Sequence, residues 1–135
     1  MGVFFLGLVA EALALASEVD QGIAELDQAL ARSTLSGVKW ADAELHRLRG
    51  ALTCRLARPD PDGAERSLRA ALSIAREQGT KGFELRAATS LARLWADTGR
   101  RSEALARLGP LYRGFADGLD LPDLQAAARL LAALA

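Results

Sequence analysis

The chain has 135 residues, half of them hydrophobic, with 17 basic and 17 acidic side chains and a formal net charge of zero. That length suits one domain with a continuous core, and the neutral balance argues against a bulk electrostatic grip on nucleic acid. Ala and Leu dominate the apolar set and β-branched residues are few, which predicts an all-α chain.

The single cysteine, Cys54, excludes an internal disulfide and a multi-thiolate metal site, and fits a reducing, cytoplasmic setting. The charges are unevenly placed. Five acidic residues and no basic ones precede Arg32, leaving 12 acidic and 17 basic residues in the remainder. Such ends could attract each other between copies, but local solvation is the simpler reading, since exposed charge is a weak guide to contacts. The first ten residues are apolar, and Ala14-Leu15-Ala16 resembles a signal-peptidase site. No basic residue precedes this run and Glu11 interrupts it, so it reads as a helix rather than a signal peptide. It is too short to cross a membrane.

Taken in order, residues 3–16 form a first apolar helix and residues 19–35 a second, carrying Ile23, Leu26, Ala29 and Leu30 at helical spacing. Gly37 stands where a helix C-terminus favours a residue without a Cβ. Residues 40–57 repeat the theme with Leu45, Leu48, Leu52 and Leu56 on one stripe. Pro59-Asp60-Pro61-Asp62-Gly63 reads as a loop, because two prolines and a glycine do not continue a helix. Residues 64–77 make the return helix, and Gly79 ends it. Residues 82–97 carry Leu85, Ala88, Leu91, Ala92 and Trp95. After the turn Asp97-Thr98-Gly99-Arg100, residues 101–116 carry Ala104, Leu105, Leu108, Leu111, Tyr112 and Phe115. Gly109-Pro110 predicts a kink or brief break in that helix. Asp120-Leu121-Pro122-Asp123 signals a helix start, and residues 121–134 form a last helix.

Aligned on their second helices, the hairpins superpose Gly22, Ala64 and Ala104, then Leu26, Leu68 and Leu108. A recurrence of about 40 residues predicts a helical solenoid. In the third hairpin Leu91-Ala92, Trp95, Gly99 and Ala104 stand at the offsets of a tetratricopeptide repeat; the first hairpin matches less well, and the second has a longer loop that leaves its register ambiguous. The stretches A-E-L-H-R-L-R-G at 43–50, F-E-L-R-A-A-T-S-L-A-R-L-W at 83–95 and L-P-D-L at 121–124 resemble the C-terminal tetratricopeptide-like tail of large bacterial multidomain signalling proteins. In those, an ATPase module, often with a nucleotide-cyclase or transcriptional-regulator domain, precedes a helical array. The resemblance covers residues 4–134. It implies a right-handed tetratricopeptide superhelix of three hairpins (3–36, 40–78 and 82–117) with a capping helix over 121–134. It also implies that the enzymatic or DNA-binding domains lie elsewhere. Gly79-Thr80-Lys81-Gly82 has neither the length nor the hydroxyl of a nucleotide-binding loop.

No catalytic constellation, metal site or cofactor site is legible. His46 is the only histidine and has at most Asp42 as a carboxylate one turn away. Cys54 lies near Arg47, Arg55 and Arg58, which could make a modestly reactive thiol, but an inert helix cysteine is the plainer reading. Asp60 and Asp62 supply two carboxylates without a third ligand. Trp40 and Trp95 read as packing anchors.

In the tetratricopeptide register Arg86, Thr89 and Arg93 share the concave face, with Glu11 likewise in the first hairpin and Arg47 joining from the second. Guanidinium groups in such a groove suit an acidic peptide or a C-terminal carboxylate, although a solvated helix face would look the same. The front of the stack has no cap. Phe4, Phe5 and Leu8 lie on a helix with no preceding repeat, which predicts either a homodimer through that hairpin or truncation from a longer protein. The expected function is therefore a non-catalytic protein–protein interaction or regulatory scaffold. A small DNA-associated regulator, or a fragment of a signalling ATPase or cyclase, is the alternative. No nucleic acid or membrane partner is expected, since there are two lysines only and aromatics do not interleave with the arginines.

Overall fold

The computed structural model describes residues 18–115 and 121–135. Its six α-helices are α1 (Val19–Ser36), α2 (Asp42–Thr53), α3 (Pro61–Gln78), α4 (Lys81–Asp97), α5 (Arg101–Gly114) and α6 (Leu121–Leu134). No strand occurs among the described residues. The expected helix over residues 3–16, with Phe4, Phe5, Leu8 and Glu11, lies outside them, as does the segment from Ala116 to Asp120.

Each helix packs on its sequence neighbour, and α4 packs in addition on α2 and α6. The row α2–α4–α6 is thus continuous, while α1, α3 and α5 attach to it without comparable contacts among themselves. Two layers of helices around apolar stripes are the simplest way to bury amphipathic faces. One core cluster joins Leu26 and Ala29 of α1 to Leu45, Leu48 and Leu52 of α2. The other is built from α3, α4, α5 and α6 around Leu68, Leu85, Leu91, Trp95 and Leu108. The positions aligned by the repeat are buried alike: Leu26, Leu68 and Leu108 are each at most 1% exposed.

Helix ends follow local chemistry. Gly37 and Gly79 take left-handed conformations with φ of 75° and 70° and close α1 and α3, as glycine C-caps do. The stretch read as a loop before residue 64 is corrected at its end: Pro61, Asp62 and Gly63 form the first turn of α3. Proline needs no N–H partner at the first helical position, and the Asp60 carboxylate caps the helix by accepting from Gly63 N at 3.0 Å. Helix α2 stops at Thr53, so Leu56 falls in the following turn and is only half-buried. The chain there tightens into three-residue bonds, Arg55 N to Leu52 O at 2.9 Å and Leu56 N to Thr53 O at 3.4 Å, on its way to Pro59.

No break appears at Gly109-Pro110. Helix α5 runs through it to Gly114. Pro110 and Ala106 are both exposed, so water can satisfy the carbonyl that the proline leaves without a donor. Gly50 has a packing role. A Cβ there would lie 2.7 Å from Leu68 Cγ and 3.2 Å from the Ala64 carbonyl oxygen, so its absence lets α2 and α3 approach closely.

Candidate functional site

The arginines expected to share a groove come together. A cleft of about 280 Å³ between α2, α4 and α6 is lined by Arg47, Arg86, Thr89, Ser90, Arg93 and Asp123, with Ala126. Helical spacing puts Arg86, Thr89 and Arg93 on one side of α4. Arg47 reaches across from α2, its Nη1 lying 3.5 Å from Ser90 Oγ.

Two of these arginines are already engaged. Glu44, 7% exposed, accepts from Arg47 Nε at 3.0 Å through both carboxylate oxygens and from Arg47 Nη2 at shorter range. Arg86 Nε donates to Asp123 at 2.9 Å, its Nη1 lies 3.6 Å from Glu44, and its guanidinium stands 5.8 Å from the Phe83 ring centre. The Arg86 ion pairs bridge α2, α4 and α6, and the one to Asp123, a charge-assisted hydrogen bond, belongs to the stronger class. Thr89 is buried, and its hydroxyl donates to the Leu85 carbonyl at 2.8 Å, so it shapes the floor of the cleft with its donor occupied. Arg93 is exposed and makes no ion pair among the described residues. Glu44 and Asp123 were not legible as site residues. The only sequence signal was that both lie in the stretches carrying the family resemblance, Glu44 three residues before Arg47 and Asp123 in the first turn of α6.

The other residues singled out in the sequence lie apart. His46 lines a separate cleft of about 630 Å³ between α1, α2 and α3, together with Asp27 and Arg49. Burial lowers its pKa below the ordinary value, outweighing the opposite pull of Asp42. Arg49 Nε donates to Asp27 at 2.7 Å, so part of the acidic front is paired within the chain. Burial, helped by Asp97, pushes the Cys54 thiol up, opposite to what a reactive thiolate needs. Asp60 serves as the cap described above, and among the described residues no group of His, Cys, Asp and Glu is placed to hold a metal ion. No described helix is long and apolar enough to cross a membrane.

Trp95 is the anchor expected of it, 3% exposed, but its surroundings are unusual. The guanidinium carbons of Arg100, Arg69 and Arg107 lie 4.6, 5.4 and 5.4 Å from its ring centre. Arg100 bonds Glu65 at 2.6 Å and Glu103 at 2.8 Å. Burial alone would raise the Glu65 carboxyl; hydrogen bonds from Arg69, the Trp95 indole and Arg100 outweigh it and hold the group below the ordinary glutamate range. The indole contact is a weak one, because Nε1 is buried without an acceptor at good hydrogen-bonding geometry.

Compared with known families, curated proteins and solved structures, the chain matches none of them.

Proposed function

We propose that this chain is a non-catalytic, tetratricopeptide-like interaction module of a cytoplasmic bacterial signalling protein, and that it holds an acidic segment of a partner protein in the α2–α4–α6 cleft. The observation carrying this reading is the convergence of Arg47, Arg86 and Arg93 from two helices on one cleft, with Arg93 left without a carboxylate among the described residues. The neighbour-by-neighbour packing and the equivalent burial of Leu26, Leu68 and Leu108 support a stack of hairpins closed by α6, and the family resemblance makes that stack a right-handed superhelix. A homodimer through the first hairpin belongs to the same reading.

Arg47 and Arg86 hold the cleft in shape through Glu44 and Asp123, leaving Arg93 as the cation that selects a partner. This determines the choice of variant. Arg86→Glu would set a third carboxylate beside Glu44 and Asp123 and disturb the docking of α6, whereas Arg93→Glu changes an exposed side chain. A fluorescein-labelled, glutamate-rich peptide titrated into the full chain should bind less tightly as salt rises. Arg93→Glu should weaken that binding at least about tenfold, the equivalent of roughly 1.4 kcal/mol, with the circular dichroism unchanged. Equal affinity of the variant and the parent chain would show that the cleft does not select acidic segments.

A further inference from the structure

The face opposite the cleft carries a second cluster. Between α3 and α5, above Trp95, two cavities of about 450 and 320 Å³ share Arg76 and Arg107 as walls. Arg69 lines the second of them with Leu72 and Ser73, while Trp95 and Glu103 line the first. Arg69 and Arg76 stand on one side of α3 seven residues apart, two helical turns, and Arg107 faces them from α5.

With Arg100 included, four arginines meet four carboxylates around the groove, but the pairing among them is uneven. Arg69 Nε is held by Glu65 at 2.8 Å and Arg76 Nε by Glu84 at 3.0 Å. Glu65 also serves Arg100, as does Glu103. The remaining carboxylate on the rim is the exposed Glu77. Arg107 makes no ion pair among the described residues, and its guanidinium stands 5.4 Å from the Trp95 ring centre. Burial, and then the charges of Arg76 and Arg69, make the protonated form of Arg107 harder to keep. The Nη groups of Arg69 and Arg76 make no hydrogen bond among the described residues, and their Nε bonds fix the planes of both forks.

We infer that Arg69, Arg76 and Arg107 form a binding site for a phosphate dianion, free or as a small monoester, in the groove between α3 and α5. A carboxylate offers two oxygens and one charge. A phosphate group offers three or more oxygens and up to two charges, which matches forks converging from two helices. Arginine favours this chemistry over lysine because its planar fork meets two oxygens at once. Arg107, desolvated and without an ion pair among the described residues, gains most when the anion arrives.

Trp95 reports on the site directly. In the full chain carrying Trp40→Phe, inorganic phosphate and O-phosphoserine are titrated separately against chloride at constant ionic strength, and the indole emission is followed. A saturable change with either ligand supports the site, and the tighter of the two identifies free phosphate or a monoester as the source. Arg107→Gln should abolish the saturable response, Arg76→Gln should weaken it at least about tenfold, and Arg93→Gln on the opposite face should leave it intact. Arg76 is half exposed, so its substitution reports on binding even if the Arg107 variant folds poorly. A response that follows ionic strength without saturating, or one that both arginine variants retain in full, overturns the inference.

Discussion

Single side chains in this protein are governed by what surrounds them more than by what they are. His46 illustrates this. Its pKa is lowered by burial, so the unfolded chain takes up the proton more readily than the folded one. Stability is therefore free of this penalty above the ordinary value of 6.5, falls as pH drops from there through the lowered folded value, and levels off beneath it. Urea midpoints measured between about pH 7 and pH 5 should decline for the parent chain and decline less for His46→Gln. An identical slope in both would mean that His46 does not contribute to the acid sensitivity. Glu65 acts lower on the scale: its depressed carboxyl adds stability above the ordinary glutamate range that is lost only as pH falls through the folded value. That Arg86 and Arg93 are neighbours was readable from their spacing on one helix, whereas Arg47 stood on a helix of ambiguous register. The carboxylates that hold Arg47 and Arg86, and leave Arg93 without an ion pair among the described residues, were not readable, because Asp123 meets Arg86 only through the folding of α6 onto α4. The arginines around Trp95 were unreadable for the same reason, being supplied by α3, α5 and the turn between α4 and α5.

At the scale of elements, the apolar stripes and glycine caps were the legible part. All five residues expected to face inward on α4, from Leu85 to Trp95, are at most 3% exposed. The boundaries around the second hairpin depart from the sequence pattern in two places. Pro61 opens a helix where proline usually breaks one, and Leu56 continues the leucine stripe in sequence after the backbone has left the helix. Close approach of α2 and α3 depends on Gly50, which the pattern of leucines does not announce. Gly50→Ala adds about 1 kcal/mol of helix propensity. It also forces Leu68 and the backbone at Ala64 to move, an overpacking typically worth about 1–3 kcal/mol in the other direction. The net expectation is a loss on the order of 1 kcal/mol in urea unfolding. A variant more stable than the parent would show that the α2–α3 interface has slack.

For the molecule as a whole, the all-α class agrees with what composition implied, and each helix packs on its sequence neighbour. The attachment of α6 was less visible in advance. Arg101, in the first turn of α5, donates to the Leu134 carbonyl and to Ala135 O at 2.8 Å, so a neighbouring helix satisfies carbonyls that α6 leaves open at its end. Arg101→Ala should speed amide hydrogen exchange in the last turn of α6 while leaving α1 to α3 unchanged, as expected when local opening does not require global unfolding. Uniform acceleration along the chain would instead place Arg101 in the global stability of the fold.

Helix α4 touches α2, α3, α5 and α6, and only Lys81, Arg93 and Asp97 along it are exposed. A typical surface helix has one side committed to packing and another free to drift over generations. Helix α4 has almost no such freedom. One of its flanks carries the cleft arginines and another presents Trp95 to the α3–α5 groove. Substitutions there should be the least tolerated in the chain, and divergence between descendants of this sequence should be concentrated in the outer helices.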